Sequence, residues 1–148
     1  MKTAIVYHSH HHNNTKKLLN AISENDNVTL IKASDSPYID LSGYDIIGFA
    51  SGIYYQKFHD TVLKFAENNL PPDKKVFFIY TCGRNRNTYT NAIRKIADAK
   101  GAQVLGIYSC PGFDTFGPFK LVGGISKGRP SERDIDGAVN FFTEISKK

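Results

Sequence analysis

A run of polar residues with unusual chemistry follows the first apolar segment of the chain. The run consists of His8, Ser9, His10, His11, His12, Asn13, Asn14 and Thr15. Imidazoles, hydroxyls and amides all donate hydrogen bonds, so the run suits a bound anion. His10 and His12 are spaced to share a zinc ion, but the run has no cysteine or carboxylate to complete four ligands. We therefore favour an anion site without metal, with an ordinary connection between two elements as the remaining alternative.

Composition restricts the class of protein. The chain has 148 residues, a formal net charge of +5 and two cysteines. This length suits one domain over residues 1–148, and two cysteines are too few for a disulfide framework. No apolar run is long enough to span a membrane, and the N-terminus MKTAIVYHS lacks the pattern of a signal peptide. We expect a soluble cytoplasmic protein.

Apolar segments alternate with amphipathic ones along the chain. Five apolar or β-branched segments predict strands at 3–8, 28–33, 44–50, 75–81 and 102–109. Helical periodicity predicts helices at 15–24, 58–70 and 88–100 and a last helix capped by Ser131, whereas 34–43 predicts none. This alternation is typical of an α/β doubly wound fold, a five-stranded parallel sheet of order 2-1-3-4-5 with helices on both faces.

The polar run lies at the ligand-binding edge of such a sheet. Ligands bind beyond the carboxyl ends of the strands, where the strand order reverses, and that point lies between the first and third strands. The run leaves the first strand and opens the first helix, whose unpaired N–H groups attract phosphate. The sequence therefore predicts a phosphate site at this helix start.

The segment IVYHSHHHNNTKKLLNAI resembles the phosphate-binding loop of flavodoxins. Asn14 and Thr15 match the last two residues of the family's Gly-Asn-Thr triplet, and Ser9 matches its leading hydroxyl. Asn13 stands where the family has glycine, and the loop is one residue longer. The resemblance extends over the whole chain and implies a flavodoxin-like fold that binds one FMN non-covalently. The expected phosphate loop consists of Ser9, His10, His11, His12, Asn13, Asn14 and Thr15.

The same resemblance implies two loops around the flavin ring. The first follows the third strand and contains Ser51, Gly52, Ile53, Tyr54 and Tyr55. Its tyrosines either stack on the ring or pack against the next helix, and Gly52 allows close approach of the backbone. The second loop follows the fourth strand and contains Cys82, Gly83 and Arg84. Aligned apolar runs predict Cys82 and Cys110 at one level of the sheet, and we favour reduced thiols over a disulfide.

Three other features remain open. The loop after residue 109 carries Phe113, Asp114, Phe116 and Phe119, which either cover the core or form a lid or docking surface. Lys57 and His59 lie at the rim of the site or in a solvated helix start. Possible cations at the rim predict a less negative reduction potential than in acidic flavodoxins. These cations are Lys57, Arg84, Arg86 and Lys120.

The resemblance implies an FMN-binding electron-transfer protein. The alternative is a small FMN-dependent oxidoreductase, of the quinone reductase or protoporphyrinogen oxidase type. No catalytic acid or base stands out, which favours the carrier. A receiver domain is excluded because acidic residues are missing at the first and third strand ends, and the cations form no nucleic-acid stripe. We expect redox partner proteins with acidic docking surfaces and no need for a stable oligomer.

Overall fold

The structure is a computed structural model that describes residues 1–9, 14–25, 27–111 and 130–148. The strands within those ranges are β1 (Thr3–His8), β2 (Val28–Lys32), β3 (Ile46–Tyr54), β4 (Lys57–Phe58), β5 (Lys75–Cys82) and β6 (Gln103–Pro111). The helices are α1 (Asn14–Ile22), α2 (Asp60–Asn69), α3 (Asn91–Ala99) and α4 (Glu132–Ile145). All five predicted strands and all four predicted helices are present, and β4 is an addition that the sequence pattern did not predict.

The five long strands are parallel and lie in the order β2-β1-β3-β5-β6. This arrangement confirms the predicted order 2-1-3-4-5. The short β4 pairs antiparallel with the end of β3 and lies off this path. β3 is therefore longer than predicted and runs on to Tyr54 rather than ending at residue 50, because its last two residues pair with Lys57 and Phe58.

Helix ends follow local chemistry. Ser131 caps α4: its Oγ accepts from the backbone N–H of Asp134, while the Asp134 carboxylate accepts from the backbone N–H of Ser131. This reciprocal capping box confirms the predicted start of the last helix. After α3, Gly101 adopts a φ of 68°, a left-handed conformation that suits glycine and turns the chain into β6.

Helices cover both faces of the sheet, so the central strands are apolar on both sides. α1 and α4 pack on one face, with Leu18 and Phe142 in the same buried cluster. α2 and α3 pack on the other face, with Phe65 and Ile93 in a second cluster. Full burial of a large apolar side chain contributes roughly 1.5–3 kcal/mol, so these two layers hold the strand ends in fixed positions.

The pairing of β5 with β6 shifts by one residue near its start. Val76 lies opposite Val104, but Phe77 lies opposite Gly106, so Leu105 is an extra residue in β6. A one-residue bulge reverses the faces to which all later side chains point, relative to the neighbouring strand. The predicted level of Cys82 and Cys110 is wrong for this reason, because Cys110 lies opposite Thr81 and Cys82 lies opposite Pro111.

Candidate functional site

The carboxyl ends of β1, β3 and β5 meet at one edge of the sheet. The chain leaves β1 for α1 on one face, whereas β3 is followed through β4 by α2 on the opposite face. The strand order reverses between β1 and β3, and a crevice for a ligand forms at such a point. The polar residues that the sequence analysis singled out are attached to these three strand ends.

The first group surrounds the start of α1. Asn14 and Thr15 are buried in its first turn. The hydroxyl of Ser9 accepts a hydrogen bond of 3.2 Å from the backbone N–H of Lys16. The Oγ1 atoms of Thr15 and Thr81 are 2.9 Å apart in the interior, which links the helix start to the end of β5. His10, His11, His12 and Asn13 lie outside the described residues.

The second group forms a hairpin at the end of β3. The turn residues Tyr55 and Gln56 both have left-handed backbones, with φ of 50° and 66°. Two consecutive left-handed residues are typical of a tight type I′ turn, which usually contains asparagine or glycine. The ring of Tyr54 is half-buried, whereas Tyr55 is 89% exposed at the tip. The two tyrosines therefore have different environments.

Ser51 and Gly52 belong to the strand that enters this hairpin. Ser51 is fully buried, and its hydroxyl accepts from the backbone N–H of His59 at 3.0 Å. A Cβ on Gly52 would lie 3.4 Å from the Tyr54 ring, an ordinary van der Waals contact, so that ring does not itself require glycine here. Ile53 packs against the core on the α2 side.

A cluster that the sequence analysis did not identify joins β1 to α2. The imidazoles of His8 and His59 stack with centroids 3.7 Å apart and planes at 12°. The Tyr54 ring makes edge contacts with both, at 5.4 Å to His8 and 4.8 Å to His59. His59 also caps α2, since its Nδ1 accepts from the backbone N–H of Thr61 at 3.1 Å. His59 is half-buried in this cluster. Lys57, the other residue predicted at the rim or in the helix start, is exposed and belongs to β4.

The third group is the turn after β5, to which two tyrosine hydroxyls donate hydrogen bonds. The Tyr80 hydroxyl donates to Oδ1 of Asn85 at 2.6 Å, and the Tyr89 hydroxyl donates to the carbonyl of Arg84 at 3.0 Å. Both rings are buried, and burial raises the pKa of the Tyr80 phenol. Gly83 is half-buried at the start of this turn, while the Arg84 side chain is exposed.

The two cysteines do not share a surface of the sheet. Cys82 belongs to the cluster under α2 and α3, and Cys110 belongs to the cluster under α1 and α4. Both thiols are reduced and buried. The bulge at Leu105 explains this separation, since it shifts the alternation of β6 relative to β5.

Two further observations concern the part of the chain that the structure describes. Among the described residues, no three or more histidine, cysteine, aspartate or glutamate side chains lie together in an arrangement that could hold a metal ion. None of the helices in this part of the chain combines the length and apolar character needed to cross a bilayer. Phe113, Asp114, Phe116, Phe119 and Lys120 lie outside the described residues.

Comparison with known proteins agrees with this architecture. The family model of the flavodoxin domain matches residues 4–108. An uncharacterized protein of Methanocaldococcus jannaschii is 37% identical over 150 residues, covering 99% of each chain.

Solved structures share the fold at low sequence identity. A flavodoxin from Streptococcus pneumoniae superposes with a TM-score of 0.69 at 15% identity, covering 99% of each chain. A flavoprotein from Lactobacillus acidophilus, solved in complex with FMN, has a TM-score of 0.54 at 21% identity, covering 73% of this chain and 92% of that one. The match of the family model over most of the chain, together with the strand order and the meeting of three strand ends, shows that this protein belongs to the flavodoxin family.

Proposed function

We propose that this chain is a single-domain electron carrier that binds one FMN at the carboxyl edge of the sheet. The observation that carries the proposal is the Thr15–Thr81 hydrogen bond of 2.9 Å, which joins the start of α1 to the end of β5. The phosphate would lie at the start of α1 and the flavin ring beside the end of β5, so this contact would support both parts of the cofactor. The FMN in the Lactobacillus acidophilus flavoprotein supports the choice of cofactor.

The residues at this edge fit the parts of FMN. The first turn of α1 offers backbone N–H groups and the hydroxyls of Ser9 and Thr15, which suit a phosphate. Tyr54 and Tyr55 offer aromatic surface, and the turn from Cys82 to Arg84 offers backbone donors for the edge of the ring. When bound, FMN supplies one- and two-electron transfer, while the protein provides position and electrostatics.

Hydrogen bonds from two buried tyrosines hold the turn after β5, which is part of the proposed ring site. The side chains of Tyr80 and Tyr89 are buried, and their hydroxyl groups donate hydrogen bonds to Asn85 and to the carbonyl of Arg84. A turn fixed before binding loses little conformational entropy when a ligand arrives. The chain itself therefore orients this loop, and the cofactor does not have to order it.

Exposed cations next to the site indicate the kind of redox partner. Arg84 and Arg86 lie in the turn after β5, and Lys57 lies in β4 next to the exposed Tyr55. Arginine and tyrosine are enriched at protein interfaces, and positive charge attracts acidic surfaces. We therefore propose partner proteins with acidic docking surfaces. The rate of electron transfer to such a partner should fall as salt rises.

Flavin binding by the apoprotein tests the proposal. Purified protein, stripped of any pigment, is titrated with FMN while flavin fluorescence is followed. Thr15→Ala should weaken binding by about 1.5–3 kcal/mol, because a charge-assisted hydrogen bond to phosphate is lost. Thr29→Ala, an exposed threonine of β2, is the matched control and should leave the affinity unchanged. Absence of saturable FMN binding by the wild-type protein would refute the proposal.

One observation favours a second candidate function, that of a small FMN-dependent oxidoreductase. The His8–His59–Tyr54 cluster supplies ionisable groups at the site edge, where enzymes keep general acids and bases. A steady-state assay with NAD(P)H and a quinone separates the two functions. Turnover that depends on bound FMN would identify an oxidoreductase, whereas transfer of electrons to a partner protein without such turnover would identify a carrier.

A further inference from the structure

Two consecutive residues near the end of β5 contact the three parts of the proposed cofactor site. Successive side chains of a strand point to opposite faces of the sheet. Thr81 faces the start of α1, where its hydroxyl oxygen lies 2.9 Å from that of Thr15. Tyr80 faces the other side and belongs to the buried cluster under α2 and α3. Only 4% of Tyr80 is exposed, so its ring and its hydroxyl both make their contacts in the interior.

The ring of Tyr80 contacts one ring from the hairpin and one ring from the segment after β5. Its centroid is 6.1 Å from that of Phe58, a fully buried residue of β4, and the two planes are inclined at 60°. Its centroid is also 5.9 Å from that of Tyr89, and these planes are inclined at 85°. Edge contacts of this kind depend on the relative orientation of the rings. The three rings therefore form a continuous buried row that connects the hairpin with the segment after β5.

The hydroxyl of Tyr80 holds the turn after β5. It donates to Oδ1 of Asn85 at 2.6 Å and has a longer contact of 3.4 Å with the carbonyl oxygen of Arg86. The hydroxyl of Tyr89 donates to the carbonyl of Arg84 at 3.0 Å. Three consecutive residues of the turn are thus bonded to two buried phenols, whose rings contact each other. The position of the turn is therefore tied to the row of rings.

We propose that Tyr80 is a positioning residue that fixes the two loops around the flavin ring relative to each other. Its ring supports the hairpin through Phe58, and its hydroxyl holds the turn through Asn85. The inference rests on the proposed function, in which these two loops enclose the ring. A site that is already held in its binding geometry loses less conformational entropy when the ligand binds. Tyr80 therefore increases the affinity for the ring without touching it, and the affinity for phosphate at the start of α1 does not depend on it.

Ligands that contain different parts of FMN test this role. Dissociation constants of FMN and of riboflavin, which lacks the phosphate, are measured on the apoprotein, and that of inorganic phosphate is measured by competition with FMN. Tyr80→Phe should weaken the binding of FMN and of riboflavin by the same factor, roughly two- to tenfold, because a hydrogen bond that holds the turn is lost. The affinity for inorganic phosphate should not change. A purely structural role, in which the whole fold loosens, would weaken the binding of all three ligands.

Two further variants make the binding test specific. Tyr108→Phe is the matched control, because the Tyr108 hydroxyl also donates to a backbone carbonyl, that of Asp134 at 2.7 Å, but on the side of α1 and α4. This control should leave the affinity for all three ligands unchanged. Asn85→Ala removes the acceptor in the turn and, because Asn85 is exposed, gives the same test even if Tyr80→Phe is unstable. Asn85→Ala and the double variant Tyr80→Phe/Asn85→Ala should both lose the same factor as Tyr80→Phe, since all three lack one hydrogen bond.

Amide hydrogen exchange of the apoprotein separates the role of the ring from that of the hydroxyl. Tyr80→Phe keeps the row of rings, so exchange should become faster at residues 83–86 and stay the same at residues 54–57. Tyr80→Leu also removes the ring contacts and should make exchange faster in both segments. Phe58→Leu breaks the row from the hairpin side and should make exchange faster at residues 54–57 alone, which tests the same contact if Tyr80→Leu does not fold.

Several results would overturn the inference. These are equal riboflavin affinity in wild type and Tyr80→Phe, an equal loss for inorganic phosphate, and additive losses in Tyr80→Phe/Asn85→Ala. Unchanged exchange at residues 54–57 in Phe58→Leu and in folded Tyr80→Leu would also overturn it. Failure of the proposed function is a different result, the absence of FMN binding by the wild-type protein, and the exchange measurements need no flavin.

Discussion

The buried contact between Thr15 and Thr81 allows a quantitative test of the link between α1 and β5. Thr15 is 1% exposed and Thr81 is 4% exposed, and their hydroxyl oxygens are 2.9 Å apart. Valine has nearly the shape of threonine but has no hydroxyl. Thr15→Val or Thr81→Val alone leaves one buried hydroxyl without this partner, which should lower the free energy of unfolding by about 1–3 kcal/mol.

The double variant distinguishes a hydrogen bond from simple packing. Removal of both hydroxyls leaves neither one buried without its partner. Thr15→Val/Thr81→Val should therefore be at least about as stable as the more stable of the two single variants. Urea unfolding of all four proteins gives the coupling energy, which should be about 1 kcal/mol or more. Strictly additive losses would refute the reasoning, because they would mean that the two hydroxyls do not interact.

Three other predictions concern packing, capping and pH. Gly48→Ala should lower the free energy of unfolding by about 1–3 kcal/mol, because the new Cβ would overlap the buried Phe77 ring. Gly43→Ala, with open space around its Cβ, should be nearly neutral in the same urea titration. Ser131→Ala should cost about 1 kcal/mol through loss of the α4 cap, and an unchanged melting temperature would contradict this. Burial raises the pKa of Tyr80 in the folded state above the value of 10.0 that it has in the unfolded chain. The stability contributed by the neutral phenol is therefore complete below pH 10.0 and is lost as pH rises through the folded-state pKa. Tyr80→Phe should flatten the alkaline part of the curve of unfolding free energy against pH, and an identical curve would show that Tyr80 is not the group responsible.

Much of the fold could be predicted because local and long-range signals agree. β1 begins and ends at the predicted residues, since TAIVYH is a continuous apolar run between polar neighbours. The start of α4 was equally clear, because Ser131 and Asp134 stand at the spacing of a capping box ahead of an apolar periodicity. Signals of this kind lie within a few residues of the element that they define.

The features that escaped prediction depend on contacts or conformations with no local signature. The turn at Tyr55 and Gln56 has the backbone of a type I′ turn without the usual asparagine or glycine, so β4 gave no hairpin signal. His8 and His59 are far apart in sequence, and they stack only because β1 and β3 are neighbours and β3 leads into α2. Their placement follows from the topology, and the residue types alone could not reveal it.

The extra residue in β6 gives the two thiols separate uses as chemical probes. Without Leu105 as a bulge, Cys110 would face the same helical layer as Cys82, and one opening event would expose both. As it is, a thiol reagent reaches Cys82 when the layer of α2 and α3 opens, and reaches Cys110 when the layer of α1 and α4 opens. The rates at which Cys82→Ser and Cys110→Ser proteins react would therefore measure the local opening of the two sides of the sheet independently.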